Sequence, residues 1–265
     1  MKRIIVGLAA GLVALAPLPA QAAAPDPVKA LQAQTAPGRG VTVSLVTRMT
    51  FDGRQVATFR TDRVAGFRKG GRVDTDDSTT YHTPLDIEDL GTQFSFPTLR
   101  IRVKGADYTS GGELIGRLPL DKKWARSPRP TPSPADLTVD LFRPGTLKAL
   151  LATASSVGPR SARGAIDNRR IPGQPFGGRT EEKVAWALWF DAKGRVTRLA
   201  TRFSHRTNDH MKMGVSSDLR FTGWGATVRI EAPPRDLVME ADDIPELVFP
   251  GESPMKLAEA LPKGH

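Results

Sequence analysis

Lys183-Val184-Ala185-Trp186-Ala187-Leu188-Trp189-Phe190 is followed at once by Asp191-Ala192-Lys193-Gly194 and then by Arg195 to Ser204. After Lys183 the octet is wholly apolar and holds two of the four tryptophans of the chain. Asp191 to Gly194 is turn chemistry: a carboxylate that bonds nearby backbone amides and a glycine that tolerates positive φ. Arg195 to Ser204 reads as a second strand of mixed face. Ser216 to Arg220, Phe221 to Gly225 and Ala226 to Ala232 continue the pattern. Pro233-Pro234 ends it, because proline has no N–H to give to a ladder. The stretch predicts an antiparallel meander. Trp186 and Trp189 fall on opposite faces of their strand. Each face therefore carries a large aromatic, covered on one side by helices and on the other by a loop, a partner or an apolar ligand. A strand in the middle of a two-sided core accounts for the same pattern.

Toward the N-terminus, Asp52-Gly53 is a hairpin signal between Val41–Phe51 and Gln55–Phe67. Gly70-Gly71 turns the chain again, Asp74 to Thr80 reads as polar and turn-prone, and Leu99, Ile101 and Val103 read as strand. Gly105-Ala106-Asp107 reads as a turn. Asp26-Pro27 is an N-cap followed by proline at the first helical position, with Val28, Leu31 and Thr35 on one face. The stronger helix is Pro144 to Ser155, with Leu147, Leu150, Leu151 and Ala154 on one face and Gly158-Pro159 beyond its end. Prolines at 128, 130, 132 and 134 make an extended surface loop.

Lys2-Arg3, the apolar run Ile4 to Leu15 and the small residues of Ala20-Gln21-Ala22 have the form of a secretory signal peptide. The chain thus divides into residues 1–22 as leader, 23–240 as a single domain and 241–265 as a loosely packed tail. The expected location is extracytoplasmic, without a lipid anchor, since no cysteine follows the apolar run. With no cysteine in the sequence, neither a disulfide nor a thiolate metal site is available, and stability must come from a core. The formal charge is +10; removing Lys2 and Arg3 leaves about +8. Export excludes a genomic nucleic-acid target, and leaves anionic membrane or cell wall as peripheral contacts. The arginines, among them Arg48, Arg60, Arg63, Arg100, Arg102, Arg195, Arg198 and Arg202, alternate with apolar residues as solvent-facing strand positions do. They read as a basic soluble surface.

Little in the sequence carries catalytic chemistry. His205 and His210, with His82 and the acids Asp76 and Asp77, match no common zinc spacing. Ser204, His205 and Asp209 have the residue types of a triad but lie too close together, and no Gly-x-Ser-x-Gly elbow occurs. Asp74, Asp76 and Asp77, Asp86, Glu88 and Asp89, and Asp242-Asp243 read as solvated loop acids. The glycine pairs match no phosphate-binding loop. No catalytic residue, metal or cofactor is therefore expected, and the chain is not read as an enzyme.

The order of elements carries more than any one motif. A short helix is followed by antiparallel strands, then by Leu118-Pro119-Leu120-Asp121-Lys122-Lys123-Trp124. Next come a leucine-rich helix and Arg163-Gly164-Ala165. Leu188-Trp189-Phe190-Asp191-Ala192-Lys193-Gly194 and the closing Pro233-Pro234 complete the series. From about Asp26 to Pro234 this resembles actinobacterial exported proteins with the LolA-like fold, the group of the LppX and LprG type of lipid-carrying lipoproteins. Those carry a cysteine at the mature N-terminus, which is missing here. The resemblance implies an α+β fold: a curved antiparallel β half-barrel with helices packed in its concave face. It also implies an apolar cavity between the two. Leu147, Leu150, Leu151, Trp186, Leu188, Trp189 and Phe190 are the residues expected to line it. The function expected is that of a secreted, soluble carrier for a lipid or other apolar ligand. Two alternatives stand beside it: an envelope protein-interaction module with a closed core, and a cell-wall hydrolase.

Overall fold

The computed structural model describes residues 25–84, 96–130, 139–172, 183–206 and 212–244. Leu85 to Gly91, the prolines at 132 and 134, Asp209, His210 and the tail beyond residue 244, for which the sequence carried expectations, lie outside them. So does the leader.

The described residues form twelve strands and two α-helices. The first arm runs through β1 (Arg39–Phe51), β2 (Arg54–Phe67), β3 (Val73–His82), β4 (Thr98–Val103), β5 (Ala106–Gly111) and β6 (Trp124–Ser127). The second runs through β7 (Ala154–Gly158), β8 (Ser161–Asp167), β9 (Lys183–Phe190), β10 (Val196–Arg206) and β11 (Lys212–Thr227). All twelve lie in one open sheet, with β12 (Val238–Glu240) at its edge, in the order β12-β6-β5-β4-β3-β2-β1-β11-β10-β9-β8-β7. Each pairing is antiparallel except that of β12 with β6. At about 4.8 Å per strand the sheet is roughly 50 Å wide. The two arms are meanders of neighbours in sequence, and the pairing of β1 with β11 joins them.

Local chemistry explains the hairpins. Asp52 and Gly53 both have positive φ, 47° and 83°, the two-residue turn whose twist matches its flanking strands. Lys104 and Gly105 do the same between β4 and β5, with φ of 54° and 85°. The turn expected at Gly105 to Asp107 is therefore one residue earlier, and Asp107 is inside β5. Between β9 and β10, Asp191 accepts hydrogen bonds from the backbone N–H of Lys193 and of Arg195, each at 2.9 Å, and from Arg195 Nε at 2.7 Å. Burial opposes the charge of Asp191, but the bonds from Arg195 and Lys193 outweigh it and hold the carboxyl below the usual carboxylate range. A lowered folded value stabilises the fold above the ordinary carboxylate pKa, and the contribution disappears as pH falls through the lowered value. Asp191→Ala is expected to remove about 1 kcal/mol at neutral pH. In urea titrations the gap to the wild type should close in acid; a gap constant down to the lowest pH would contradict this account.

The inner face is set by alternation. Along β1, Val41, Val43, Leu45, Thr47, Met49 and Phe51 are all buried. Their neighbours on β11, β10 and β9 continue the layer with Phe221, Leu219, Leu199, Leu188 and Trp186. Helices α1 (Pro27–Gln34) and α2 (Pro144–Ala152) pack on it through Leu31, Leu147 and Leu150. Asp26 caps α1 by accepting from Val28 N–H at 2.9 Å. The second helix is shorter than expected: it stops at Ala152, and Ala154 opens β7. A second apolar cluster lies farther along the same strands, around Met49, Phe51, Val56, Ala57 and Val215.

Several expectations change. Asp74 to Thr80 is not a turn but most of β3, paired with β2 through Asp62↔Ser78 and its neighbours. Residues 212–227 are one continuous strand, whereas 228–234 leave the sheet. There Val228 and Ile230 cover Gly66 on the outer face, where a β-carbon would sit 3.1 Å from Val228 Cγ1. Ile244, assigned to the tail, is buried with Leu114 and Ala125, and Ala241 is buried as well.

Candidate ligand-binding face

The inner face has two halves. One is apolar and covers β1 and the strands from β11 to β8. Six of the seven residues expected to line a cavity gather there. Leu147, Leu150, Trp186 and Leu188 belong to the buried cluster between sheet and helices, and Leu151 and Phe190 pack against it. Trp189 does not join them. It is on the outer face of β9, and the Arg198 guanidinium lies 4.6 Å from its ring centroid. A cation stacked on the ring covers that face, so neither a loop nor a ligand is needed to explain the second tryptophan.

Polar atoms interrupt this apolar floor. Among the described residues, the indole N–H of Trp186 and the hydroxyl of Thr146 are buried without a hydrogen-bond partner. Trp186 is 3 % exposed and Thr146 0 %. Thr75, on the inner face of β3, has a buried hydroxyl in the same condition. A buried polar group left unbonded costs about 1–3 kcal/mol, and native proteins tolerate few.

The other half, on β2 to β5, is charged. One row across the sheet reads Phe221, Val43, Arg63, Asp77, Arg100, Thr109. Arg63 grips Asp77 through two bonds of 2.8 and 2.7 Å. Arg102 holds Asp107 at 2.8 and 3.2 Å, and Arg100 lies 3.9 Å from the same carboxylate. Asp77 and Asp107 are 3 % and 1 % exposed. Hydroxyls also pair across strands in each half. Thr47 meets Ser217 at 3.2 Å and Thr61 meets Thr79 at 2.9 Å.

These charges correct two sequence expectations. Arg63, Arg100 and Arg102 point inward instead of to solvent, and Asp77 is a buried partner rather than a solvated loop acid. Asp74 is buried as well, bonded to Arg68 and to the N–H of Lys104. The signal was the cross-strand match of Arg63 with Asp77, which is visible only once β3 is recognised as a strand.

The hydrolase candidates are not brought together. Ser204 and His205 are consecutive on β10, so their side chains leave opposite faces of the sheet. Among the described residues no three His, Cys, Asp or Glu side chains form a group that would hold a metal. No described helix is long and apolar enough to cross a membrane.

No family model matches the chain, and no curated protein matches it. Several solved structures are similar to it. LprF from Mycobacterium bovis is 15% identical over 79% of this chain and 99% of its own, with a TM-score of 0.42. The lipoprotein LppX of Mycobacterium tuberculosis is 10% identical over 77% and 96%, with a TM-score of 0.38. A LolA superfamily protein from Nitrosomonas europaea is 11% identical over 73% and 91%, with a TM-score of 0.28.

Proposed function

We propose that the chain is an exported carrier that holds a lipid or other apolar ligand between its sheet and helices, without catalysing a reaction. One observation carries this reading: among the described residues, the Trp186 indole N–H and the Thr146 hydroxyl are buried and unbonded in an apolar core. An apolar molecule with an ester or amide carbonyl offers an acceptor for the indole while its chains meet Leu147, Leu150, Leu151, Leu188 and Phe190. Ligand sites commonly combine an apolar lining with a few converging polar groups.

Lipid extraction and mass spectrometry of protein purified without detergent test the reading. A co-purifying lipid at close to one per protein is expected. Protein that emerges empty and takes up no fluorescent fatty-acid probe would overturn it. The interaction module would then be favoured, with the exposed Ile115 and Leu120 as its starting point. Trp186→Phe sharpens the test. It deletes the unbonded N–H and keeps most of the ring, so stability in urea should be unchanged or slightly higher. Ligand affinity should fall about 5–10-fold, the loss of one hydrogen bond. Equal affinity in the two proteins would remove Trp186 from the site.

A further inference from the structure

The outer face of the sheet collects arginines that the sequence scatters. Arg202 of β10 and Arg48 of β1 flank Ser216 in one cross-strand row. Arg60 of β2 faces Val46 in the next row, and Arg220 of β11 faces Ser44 in the one after. All four are exposed. Among the described residues, none of the four guanidinium groups has an ion-pair or hydrogen-bond partner. The acids nearby are fewer. Asp218 is neutralised by Arg198 through bonds of 2.9 and 2.7 Å. Asp62 accepts from Ser44 at 2.7 Å, and Asp76 lies one strand farther out.

We infer that this outer face docks on the surface of an anionic phospholipid bilayer. Three features favour that partner. First, basic groups outnumber acids on this face and the four guanidinium groups are outside any ion pair among the described residues, so approach to an anionic surface removes repulsion among the arginines instead of breaking ion pairs. Second, guanidinium groups bond phosphate oxygens in pairs, and phosphate is the charged group of such lipids. Third, the array is two-dimensional. It spans four adjacent strands, about 14 Å, and three rows along them. A planar array suits a plane of headgroups, whereas a single polyanion chain is better followed by a linear track of cations. Docking by this face leaves the helix-covered inner face turned away from the membrane and free. The inference does not depend on what the inner face binds.

Vesicle co-sedimentation of the full chain tests it. Vesicles rich in phosphatidylglycerol are compared with vesicles of pure phosphatidylcholine, and the ratio of the two affinities is read. The apolar run Ile4 to Leu15 contributes alike to both vesicle types and cancels in that ratio, whereas the contribution of Lys2 and Arg3 is common to every variant and cancels when variants are compared. The wild type should prefer the anionic vesicles, and the preference should shrink as salt is raised. A basic residue close to an anionic bilayer contributes roughly fivefold. Arg48→Ser/Arg60→Ser/Arg202→Ser/Arg220→Ser should therefore lose on the order of 100-fold or more. The double variant Arg48→Ser/Arg202→Ser should lose about 25-fold, and serves if the fourfold variant folds poorly. A matched control, Lys69→Ser/Arg72→Ser/Lys104→Ser/Lys123→Ser, removes four exposed cations in turns away from this face. It should lose far less than the outer-face variant. Equal losses in the two fourfold variants would reduce the effect to net charge and overturn the inference. So would a wild type indifferent to lipid charge. Soluble polyphosphate retained by the wild type, with anionic vesicles ignored, would overturn the bilayer in favour of a polymer.

Discussion

Asp107→Asn is expected to destabilise the protein by about 3–5 kcal/mol, the usual loss when one member of a buried ion pair is removed. The carboxylate is 1 % exposed and holds Arg102 through both oxygens, with Arg100 3.9 Å away. The amide keeps the shape but loses the charge, and it turns an N–H₂ group toward a guanidinium that can only donate. Two arginines then face each other across a half-buried site with one carboxylate fewer. Urea denaturation at neutral pH measures the loss. A change below about 1 kcal/mol would mean that solvent screens the site as it does an exposed pair.

Gly164→Val is expected to destabilise by about 3 kcal/mol or more, because the space for its side chain is already occupied. A β-carbon at Gly164 would stand 2.9 Å from Trp186 Cζ2 and 3.0 Å from Ala154 Cα, and closer still to the Thr153 carbonyl. Two of these atoms are backbone at the junction of α2 and β7, so no rotamer change relieves the contact. Either the β7–β8 hairpin shifts or Trp186 leaves its place in the core. Thermal unfolding followed by tryptophan fluorescence reports both, since Trp186 moves in the second case. A variant with the wild-type midpoint would show that the hairpin yields freely.

The parts of this fold that sequence makes legible are the local ones. Asp52-Gly53 marks its hairpin because both residues accept positive φ. Asp191 to Arg195 marks another because the carboxylate reaches only nearby amides. Leu147 and Leu150 declare a buried helical face by spacing alone. The inward residues of β9 follow from alternation, which also puts Trp189 on the far side. Its place among the residues expected to line a cavity rested on its ring, against that alternation.

What stayed hidden depends on partners distant in sequence. Thr75-Asp76-Asp77-Ser78 has poor strand propensity, and it is strand because β2 and β4 hold it on both sides. In β4 the alternation of Arg100 and Arg102 with Leu99 and Ile101 invites the wrong face. Leu99 is 39 % exposed, and the arginines turn inward to meet Asp77 and Asp107. Hydrophobicity sets register where one face is apolar; here ion pairing sets it. The outer arginines were legible one by one, but their assembly required the order of the strands. The unbonded Trp186 and Thr146 atoms required the packed core.

The two arms of the sheet meet at β1 and β11, where Arg39 pairs with Thr227. Every other neighbour along the first arm to β6, and along the second from β7, is supplied within a short stretch of chain. Apart from the short edge pairing of β12 with β6, the central seam alone waits for nearly the whole polypeptide. During synthesis, and again during any translocation as an unfolded thread, β1 is made early and keeps an open edge until residue 227 has emerged. Contacts so far apart in sequence slow folding, and an unpaired strand edge is a template for the wrong partner. The order of manufacture therefore bears hardest on the middle of the sheet: the strand at its heart is the one that must be kept from other chains the longest.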